Sequence, residues 1–159
     1  MRKVDRRALF GFIGVCLLAG LAGSLLIIPA IPEWYASLQK PSFTPPEWVF
    51  RIVWIVLFIL MGIAAYLVWV NGARKKERAN AILLFAIQLV LNVMWVFVFF
   101  GMHNLQGGFL VAVGLLLAIT LTIVKFAKIS GKAALLLVPY LLWIIFATAL
   151  NFSVVLLNP

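Results

Sequence analysis

The sequence predicts an all-α integral membrane protein, a bundle of five transmembrane helices with an ordered first loop rich in proline and aromatic residues. Of the 159 residues, 66% are hydrophobic and 11% are charged, and the mean hydropathy is +1.19. Soluble domains are about half apolar and about a quarter charged. A soluble fold of this length could not bury so much apolar surface, so lipid is the expected solvent.

Five stretches of the chain lack Asp, Glu, Lys and Arg and are long enough to span a bilayer, which takes about 20 mostly apolar residues in a helix. They cover residues 8–28, 52–70, 79–102, 104–124 and 133–157. Lipid offers the backbone no hydrogen-bond partner, so each stretch must be a helix or part of a closed barrel. Barrel strands need only about ten residues of alternating polarity. The longer, uniformly apolar runs therefore predict a single five-helix membrane domain over residues 1–159.

Basic residues cluster on one side of these spans. The N-terminal segment and the connections after the second and fourth spans hold all but two of the 13. They are Arg2, Lys3, Arg6, Arg7, Arg74, Lys75, Lys76, Arg78, Lys125, Lys128 and Lys132. Only Lys40 and Arg51 lie on the opposite side. The positive-inside rule therefore predicts a multi-pass protein of the cell (cytoplasmic) membrane, with a cytoplasmic N-terminus and with the first loop and C-terminus outside. Because the charges flank apolar runs, no nucleic-acid partner is expected.

The predicted first loop, residues 29–51, is dense in prolines and aromatic residues. They are Pro29, Pro32, Trp34, Tyr35, Pro41, Phe43, Pro45, Pro46, Trp48 and Phe50. Prolines stiffen the backbone and end helices, and a free polar linker would not carry so many aromatic rings. Two interpretations remain open, an aromatic belt at the membrane interface, above all for Trp48, and an ordered lid over the outer mouth of the bundle.

The third span carries polar residues on one face. Gln88 and Asn92 are one helical turn apart, and Trp95 lies near the next turn. Hydrogen bonds between helices, worth about 1 kcal/mol or less each in a membrane, would explain these residues without a ligand. A ligand-binding face is the alternative.

The last span presents a second face with similar properties. It consists of Tyr140, Trp143, Ala147 and Asn151. Trp143 lies near mid-span, too deep for an interfacial belt, and a buried indole N–H needs a partner from another helix or from a ligand. Trp54 in the second span raises the same question. Trp54, Asn92 and Trp143 are therefore predicted to converge on an aromatic, sparsely polar cavity that suits a large planar hydrophobic ligand.

Other chemistry is largely absent from the sequence. No charged residue lies within the five spans, which argues against an ion-coupled pump. His103 is the only histidine, so no multi-histidine metal site is possible, and a solvated turn residue and an axial ligand to a metalloporphyrin remain its alternatives. No cofactor is expected. Cys16 is interpreted as a helix-packing residue. Ala19, Gly20 and Gly23 are predicted to form a face on which another helix packs closely.

Three separated motifs carry a family resemblance. The first loop reads WYASLQKPSFTPPEWVF over residues 34–50. The third span reads QLVLNVMW over 88–95 and ends in FFG at 99–101, and the last span reads VPYLLW over 138–143 and ATALNF over 147–152. In order and spacing these motifs resemble the translocator protein family, the tryptophan-rich sensory proteins once called peripheral-type benzodiazepine receptors. The resemblance covers nearly the whole chain.

The resemblance implies a cavity that opens toward the first-loop side and binds porphyrins, notably protoporphyrin IX, and benzodiazepine- or isoquinoline-type drugs. The family's cavity positions correspond to Trp34, Tyr35, Pro45, Trp54, Asn92, Trp143 and Ala147. The two helix faces add four further predicted ligand-binding residues. These are Gln88, Trp95, Tyr140 and Asn151. The resemblance also implies a homodimer.

Three functions stay open at this point. The first is a membrane receptor or transporter-like protein that binds porphyrins and has a sensory or tetrapyrrole-regulating role. The second, implied by resemblance to some bacterial members, is an enzyme that degrades protoporphyrin IX oxidatively in light, with Trp54 and Trp143 as catalytic residues. The third is a non-catalytic membrane scaffold. Cholesterol binding is not expected, because Phe152 stands where animal relatives carry a tyrosine and no basic residue follows Lys132.

Overall fold

A computed structural model describes residues 5–71 and 74–159 of the chain. Within those residues the fold has five long helices and no strands: α1 Arg6–Ala30, α2 Glu47–Val70, α3 Lys75–Val96, α4 Leu105–Ala127 and α5 Gly131–Leu157. Two π-helical segments, Ile31–Tyr35 and Phe97–Gly101, extend α1 and α3. All five helices are long and apolar enough to span a membrane, which confirms the predicted five-helix architecture. Arg2 and Lys3, used to predict the orientation, lie outside the described residues.

Side chains cap three helix starts, and at two of these, α1 and α5, the helix begins before the predicted span. The Asp5 carboxylate accepts a hydrogen bond from the N–H of Ala8 at 3.2 Å. The Asn104 side chain accepts from the N–H of Gly107 at 2.7 Å, and the Ser130 hydroxyl accepts from the N–H of Ala133 at 3.3 Å. Such caps satisfy helix N–H groups that otherwise have no partner. The predicted spans contain only residues other than Asp, Glu, Lys and Arg, whereas α1 and α5 begin at their caps and include basic residues such as Arg6 and Lys132.

The first loop is shorter than the predicted 29–51. Pro29 lies inside α1, and the π-helical segment carries the helix on to Tyr35. A membrane helix tolerates proline because local π-type adjustment accommodates the missing hydrogen bond. At the other end Pro46 stands directly before α2, which begins at Glu47. The prolines therefore shape the ends of two helices, and only residues 38–46 are irregular.

The helices pack around a core that runs along the bundle axis. Its largest fully buried side chains are Tyr140, Phe126, Met61, Leu115, Ile119 and Leu137. The backbones of α1 and α2 approach closely at Gly62, where an added Cβ would lie 2.5 Å from the Cα of Ile13. An added Cβ at Gly20 would lie 2.5 Å from the ring of Phe58, and Gly23 is buried against Val96, so the predicted packing face of α1 is confirmed.

The outer surface of the bundle is apolar. Phe10, Leu110 and Leu135 are each 69% exposed, and many other large hydrophobic side chains are similarly open. A water-soluble monomer does not present a continuous apolar surface of this kind. The exposed face is therefore the face toward lipid, and four polar side chains, those of Gln88, Asn92, Thr122 and Asn151, are buried inside the described bundle.

Candidate ligand-binding site

The two polar faces predicted on the third and last spans meet inside the bundle. The Asn92 amide donates to the Tyr140 hydroxyl at 3.1 Å. The Trp95 indole N–H donates to the Asn151 side-chain oxygen at 3.3 Å. Asn151 also donates to the backbone carbonyl of Leu105 at 3.2 Å, which connects α5 to the start of α4. All four side chains are buried, so these hydrogen bonds are interhelical contacts shielded from water.

A small cavity lies beside the Trp95–Asn151 pair, at the end of the bundle that the first loop covers. Its volume is about 40 Å³. Tyr35, Phe50 and Trp95 contribute aromatic walls, and Ala147 and Asn151 close the side formed by α5. Four of the predicted binding residues thus line one cavity, which we call the loop-side chamber.

Trp54 lies between the chamber and the Asn92–Tyr140 pair. Its ring centroid is 6.4 Å from that of Trp95 and 6.3 Å from that of Tyr140. A third contact, stacked at 5.4 Å, joins it to Phe58 one turn further along α2. Trp54 therefore continues the aromatic lining from the chamber toward the centre of the bundle.

Trp143 has different neighbours. Its ring contacts Phe50 at 5.3 Å and Phe146 at 5.4 Å. It lines a groove of about 470 Å³ between α2 and α5, which we call the side groove, together with Val53, Val56 and other apolar residues. The Trp143 indole nitrogen is buried and has no hydrogen-bond partner in the described part of the chain. The sequence left two possible partners for this N–H, a group on another helix or a ligand. No described helix provides one.

Gln88 is the second buried group without a partner. The residue is 1% exposed, and neither its amide nitrogen nor its amide oxygen has a hydrogen-bond partner among residues 5–71 and 74–159. An unpaired buried polar group costs about 1–3 kcal/mol. Gln88 is one turn from Asn92 on α3, so an unpaired amide NH2 group and an unpaired amide oxygen lie in the bundle interior close to the paired amides.

An aromatic cluster seals the chamber at the level of the two π-helical segments. Trp34 contacts Phe99 at 5.5 Å, and Tyr35 contacts Phe100 at 5.6 Å. The imidazole of His103 stacks on Trp34 with the rings 4.4 Å apart and 12° from parallel. His103 has a φ of 54°, in the left-handed region. The stack connects the end of the first span to the turn before α4, a contact that the sequence did not predict.

The first loop is fastened near its start, at Gln39 and Lys40. The side chain of Asn158 accepts from the backbone N–H of Gln39 and donates to its carbonyl, both at 2.9 Å. The Lys40 ammonium donates to the carbonyl of Tyr35 at 2.6 Å and to that of Leu38 at 3.1 Å. Pro45 belongs to this loop and is half-buried, but it does not line the chamber. The loop therefore lies across the bundle end as an ordered segment.

Asn158→Ala is expected to loosen this loop without unfolding the bundle. The change removes both hydrogen bonds to Gln39, each worth about 1 kcal/mol, so amide exchange in residues 36–46 should become about tenfold faster or more. Hydrogen–deuterium exchange read by mass spectrometry measures this. Ser153→Ala is the matched control, because the Ser153 hydroxyl bonds only within α5. Equal exchange in the two variants would show that Asn158 does not hold the loop.

Several chamber residues escaped the sequence prediction. Leu150 and Val154 continue the α5 face beyond Ala147 at helical spacing, so extending the pattern would have found them. Phe50 was assigned to the loop because the second span was expected to begin at residue 52. Phe100 lies in a π-helical segment, where the extra residue per turn changes which side chains point inward. No simple sequence signal indicates that shift.

These features define a class, a multi-pass helical membrane protein with aromatic and amide side chains gathered inside the bundle. The chain belongs to the TspO/MBR family, whose sequence model matches residues 12–157. It is 46% identical to the tryptophan-rich protein TspO of Chlorobaculum tepidum, over 92% of this chain and 93% of that protein. It is 36% identical to the tryptophan-rich sensory protein of Cereibacter sphaeroides, over 98% and 94%, and 43% identical to the translocator protein of Homo sapiens, over 77% and 73%.

Proposed function

We propose that this protein is a membrane receptor or transporter-like protein that binds porphyrins, such as protoporphyrin IX, and similar planar hydrophobic molecules, with a sensory or tetrapyrrole-regulating role. One observation carries the proposal: the rings of Tyr35, Trp54 and Trp95 gather around the buried amides of Asn92 and Asn151. Ligand sites are mostly apolar and aromatic, with a few polar groups that fix orientation. A flat macrocycle with a few polar atoms matches this combination.

The size of the loop-side chamber requires a change of shape on binding. Ligand pockets have volumes of about 300–1,000 Å³, whereas the chamber has about 40 Å³. The Trp95–Asn151 hydrogen bond crosses this region, and a ligand that supplies its own acceptor or donor can replace it at little net cost. The side groove, at about 470 Å³, is already of ligand size.

Trp143 is the residue we assign to direct ligand contact from the side groove. Its buried indole N–H has no acceptor among the described residues, and its ring is flanked by two phenylalanines. A ligand that places an acceptor here would remove the cost of the unpaired group. The depth of Trp143, near the middle of α5, favours a lipid-soluble ligand over a lipid headgroup.

Titration of the protein in lipid nanodiscs with protoporphyrin IX, followed by quenching of tryptophan fluorescence, tests the proposal. Saturable quenching is expected for the wild type. Trp143→Phe keeps an aromatic ring but removes the N–H, and losing one hydrogen bond of about 1 kcal/mol should raise Kd about fivefold. Trp48→Phe is the matched control, because Trp48 is 61% exposed.

Two results of this titration would contradict the proposal. A wild-type protein without saturable quenching would favour the scaffold alternative. An unchanged or lower Kd for Trp143→Phe would show that the indole N–H is not a ligand contact.

We also infer the cell membrane as the location, with a cytoplasmic N-terminus and with the first loop and C-terminus outside. The start of α1 and the α2–α3 and α4–α5 connections lie at one end of the up-and-down bundle and carry most of the basic residues. A homodimer is part of the same proposal. Its support is α1, the least buried of the five spans, whose apolar outer face is open to a second copy.

A further inference from the structure

The basic residues at the loop end of the bundle are satisfied within the protein. The ammonium of Lys40 donates to backbone carbonyls of the first loop, the shortest at 2.6 Å. The guanidinium of Arg51 lies 4.0 Å from the carboxylate of Glu47, one turn away on α2. Both cations therefore have a partner within the protein.

The opposite end of the bundle differs. At the α2–α3 and α4–α5 connections there, six exposed basic side chains make no ion pair and no hydrogen bond within residues 5–71 and 74–159. They are Arg74, Lys75, Lys76, Lys125, Lys128 and Lys132. We call these six residues the basic face. Glu77 is the one acidic residue in the two connections that carry them, so the face has a strong net positive charge.

A hydrogen bond joins the two connections. The side-chain amide of Asn71, at the end of α2, donates to the carbonyl of Ile129 at 2.9 Å. Ile129 follows Lys128 directly in the connection between α4 and α5. Because this contact holds the connections together, the basic residues on both form one surface rather than two separate groups.

Trp69 marks the depth of this surface in the bilayer. Its ring is half-exposed, and the guanidinium of Arg78 lies 5.1 Å from the ring centroid. Arg78 also donates to the carbonyl of Trp69 at 3.2 Å. Tryptophan is typical of the headgroup level of a membrane. The basic face is adjacent to Arg78 in the chain and therefore lies at the level of lipid phosphates.

We propose that the basic face is a binding site for an anionic phospholipid, whose headgroup phosphate contacts the joined α2–α3 and α4–α5 connections. Phospholipids supply phosphate at this depth, and lysine clusters beside a transmembrane helix attract anionic headgroups. The six cations have no competing partner among the described residues. The proposed site is distinct from the loop-side chamber, because the two lie at opposite ends of the bundle.

Retention of lipid tests this site. The protein is released from nanodiscs that contain phosphatidylglycerol and phosphatidylcholine in equal amounts, and native mass spectrometry measures the lipids that stay bound. The wild type is expected to retain phosphatidylglycerol preferentially. Lys128→Gln combined with Lys132→Gln removes two charges of the basic face and should lower the retained phosphatidylglycerol about tenfold.

Arg6→Gln combined with Arg7→Gln is the matched control, because it removes two exposed charges at the same end of the bundle but on α1. The control should retain phosphatidylglycerol as the wild type does. Equal losses in the two double variants would overturn the proposal in favour of diffuse attraction to the whole end of the bundle. Retention without preference for phosphatidylglycerol would overturn it as well and would leave a soluble acidic partner as the occupant to examine.

Discussion

Gly62→Ala is expected to destabilise the bundle by about 2–3 kcal/mol, although alanine is the better helix former by about 1 kcal/mol. A Cβ at this position would lie 2.5 Å from the Cα and 2.8 Å from the backbone nitrogen of Ile13. The obstacle is backbone rather than a flexible side chain, so α1 must move away from α2. Thermal unfolding in detergent, followed by tryptophan fluorescence, measures the loss.

Gly114→Ala provides the control for the Gly62 variant. Gly114 lies within α4, and an added Cβ would have no atom within 4 Å. Its melting temperature should equal or exceed that of the wild type. If both alanine variants melted alike, the close approach of α1 to α2 would not be a determinant of stability.

The Gly62 contact also shows what the sequence could not predict. Small-residue spacing in the first span correctly indicated a packing face at Gly20 and Gly23. It did not indicate the backbone contact at Gly62, which is the only glycine in α2 and whose partner, Ile13, is not a small residue. A close approach depends on how two helices cross. The sequence of one helix does not show which residues of the other helix it will contact.

The spans and the polar faces were predictable because lipid imposes simple rules. Lipid requires helices about 20 residues long. A side-chain amide within such an apolar helix is therefore easy to recognise in the sequence. The pairing of Asn92 with Tyr140 therefore agrees with the expectation that the third and last spans meet. The predicted length of the first loop was wrong, because Pro29 was expected to end the first helix and instead lies within α1. Helix propensity describes the local preference of a residue, and packing within the bundle can override that preference.

The interior of the candidate site is only partly satisfied, and this property was beyond sequence reasoning. Asn92 and Asn151 have partners, whereas the amide of Gln88 and the indole N–H of Trp143 have none in the described part of the chain. The sequence placed all four within apolar spans but did not indicate which of them would find a partner. Only the distances between helices separate groups that hold the bundle together from groups that remain free for a ligand.

Asn151→Leu is the second change for which we expect a large effect. Interhelical hydrogen bonds in membranes average only about 0.6 kcal/mol, but this variant also leaves the buried indole N–H of Trp95 without an acceptor, at about 1–3 kcal/mol. It further removes the link from α5 to the carbonyl of Leu105. We expect a loss of about 2–3 kcal/mol in the free energy of unfolding, measured by titration with sodium dodecyl sulfate.

A double-mutant cycle separates the unpaired indole from the loss of packing around it. Adding Trp95→Phe to Asn151→Leu removes both partners of the hydrogen bond, so the double variant should be more stable than the sum of the single losses by about 1–2 kcal/mol. Asn80→Leu, at an exposed position of α3, should change the free energy of unfolding by less than about 0.5 kcal/mol. Strict additivity in the cycle would mean that Trp95 and Asn151 do not depend on each other. The chamber could then open for a ligand without breaking their contact, and the change of shape proposed for binding would have to begin elsewhere, at the aromatic cluster of Trp34 and Phe99.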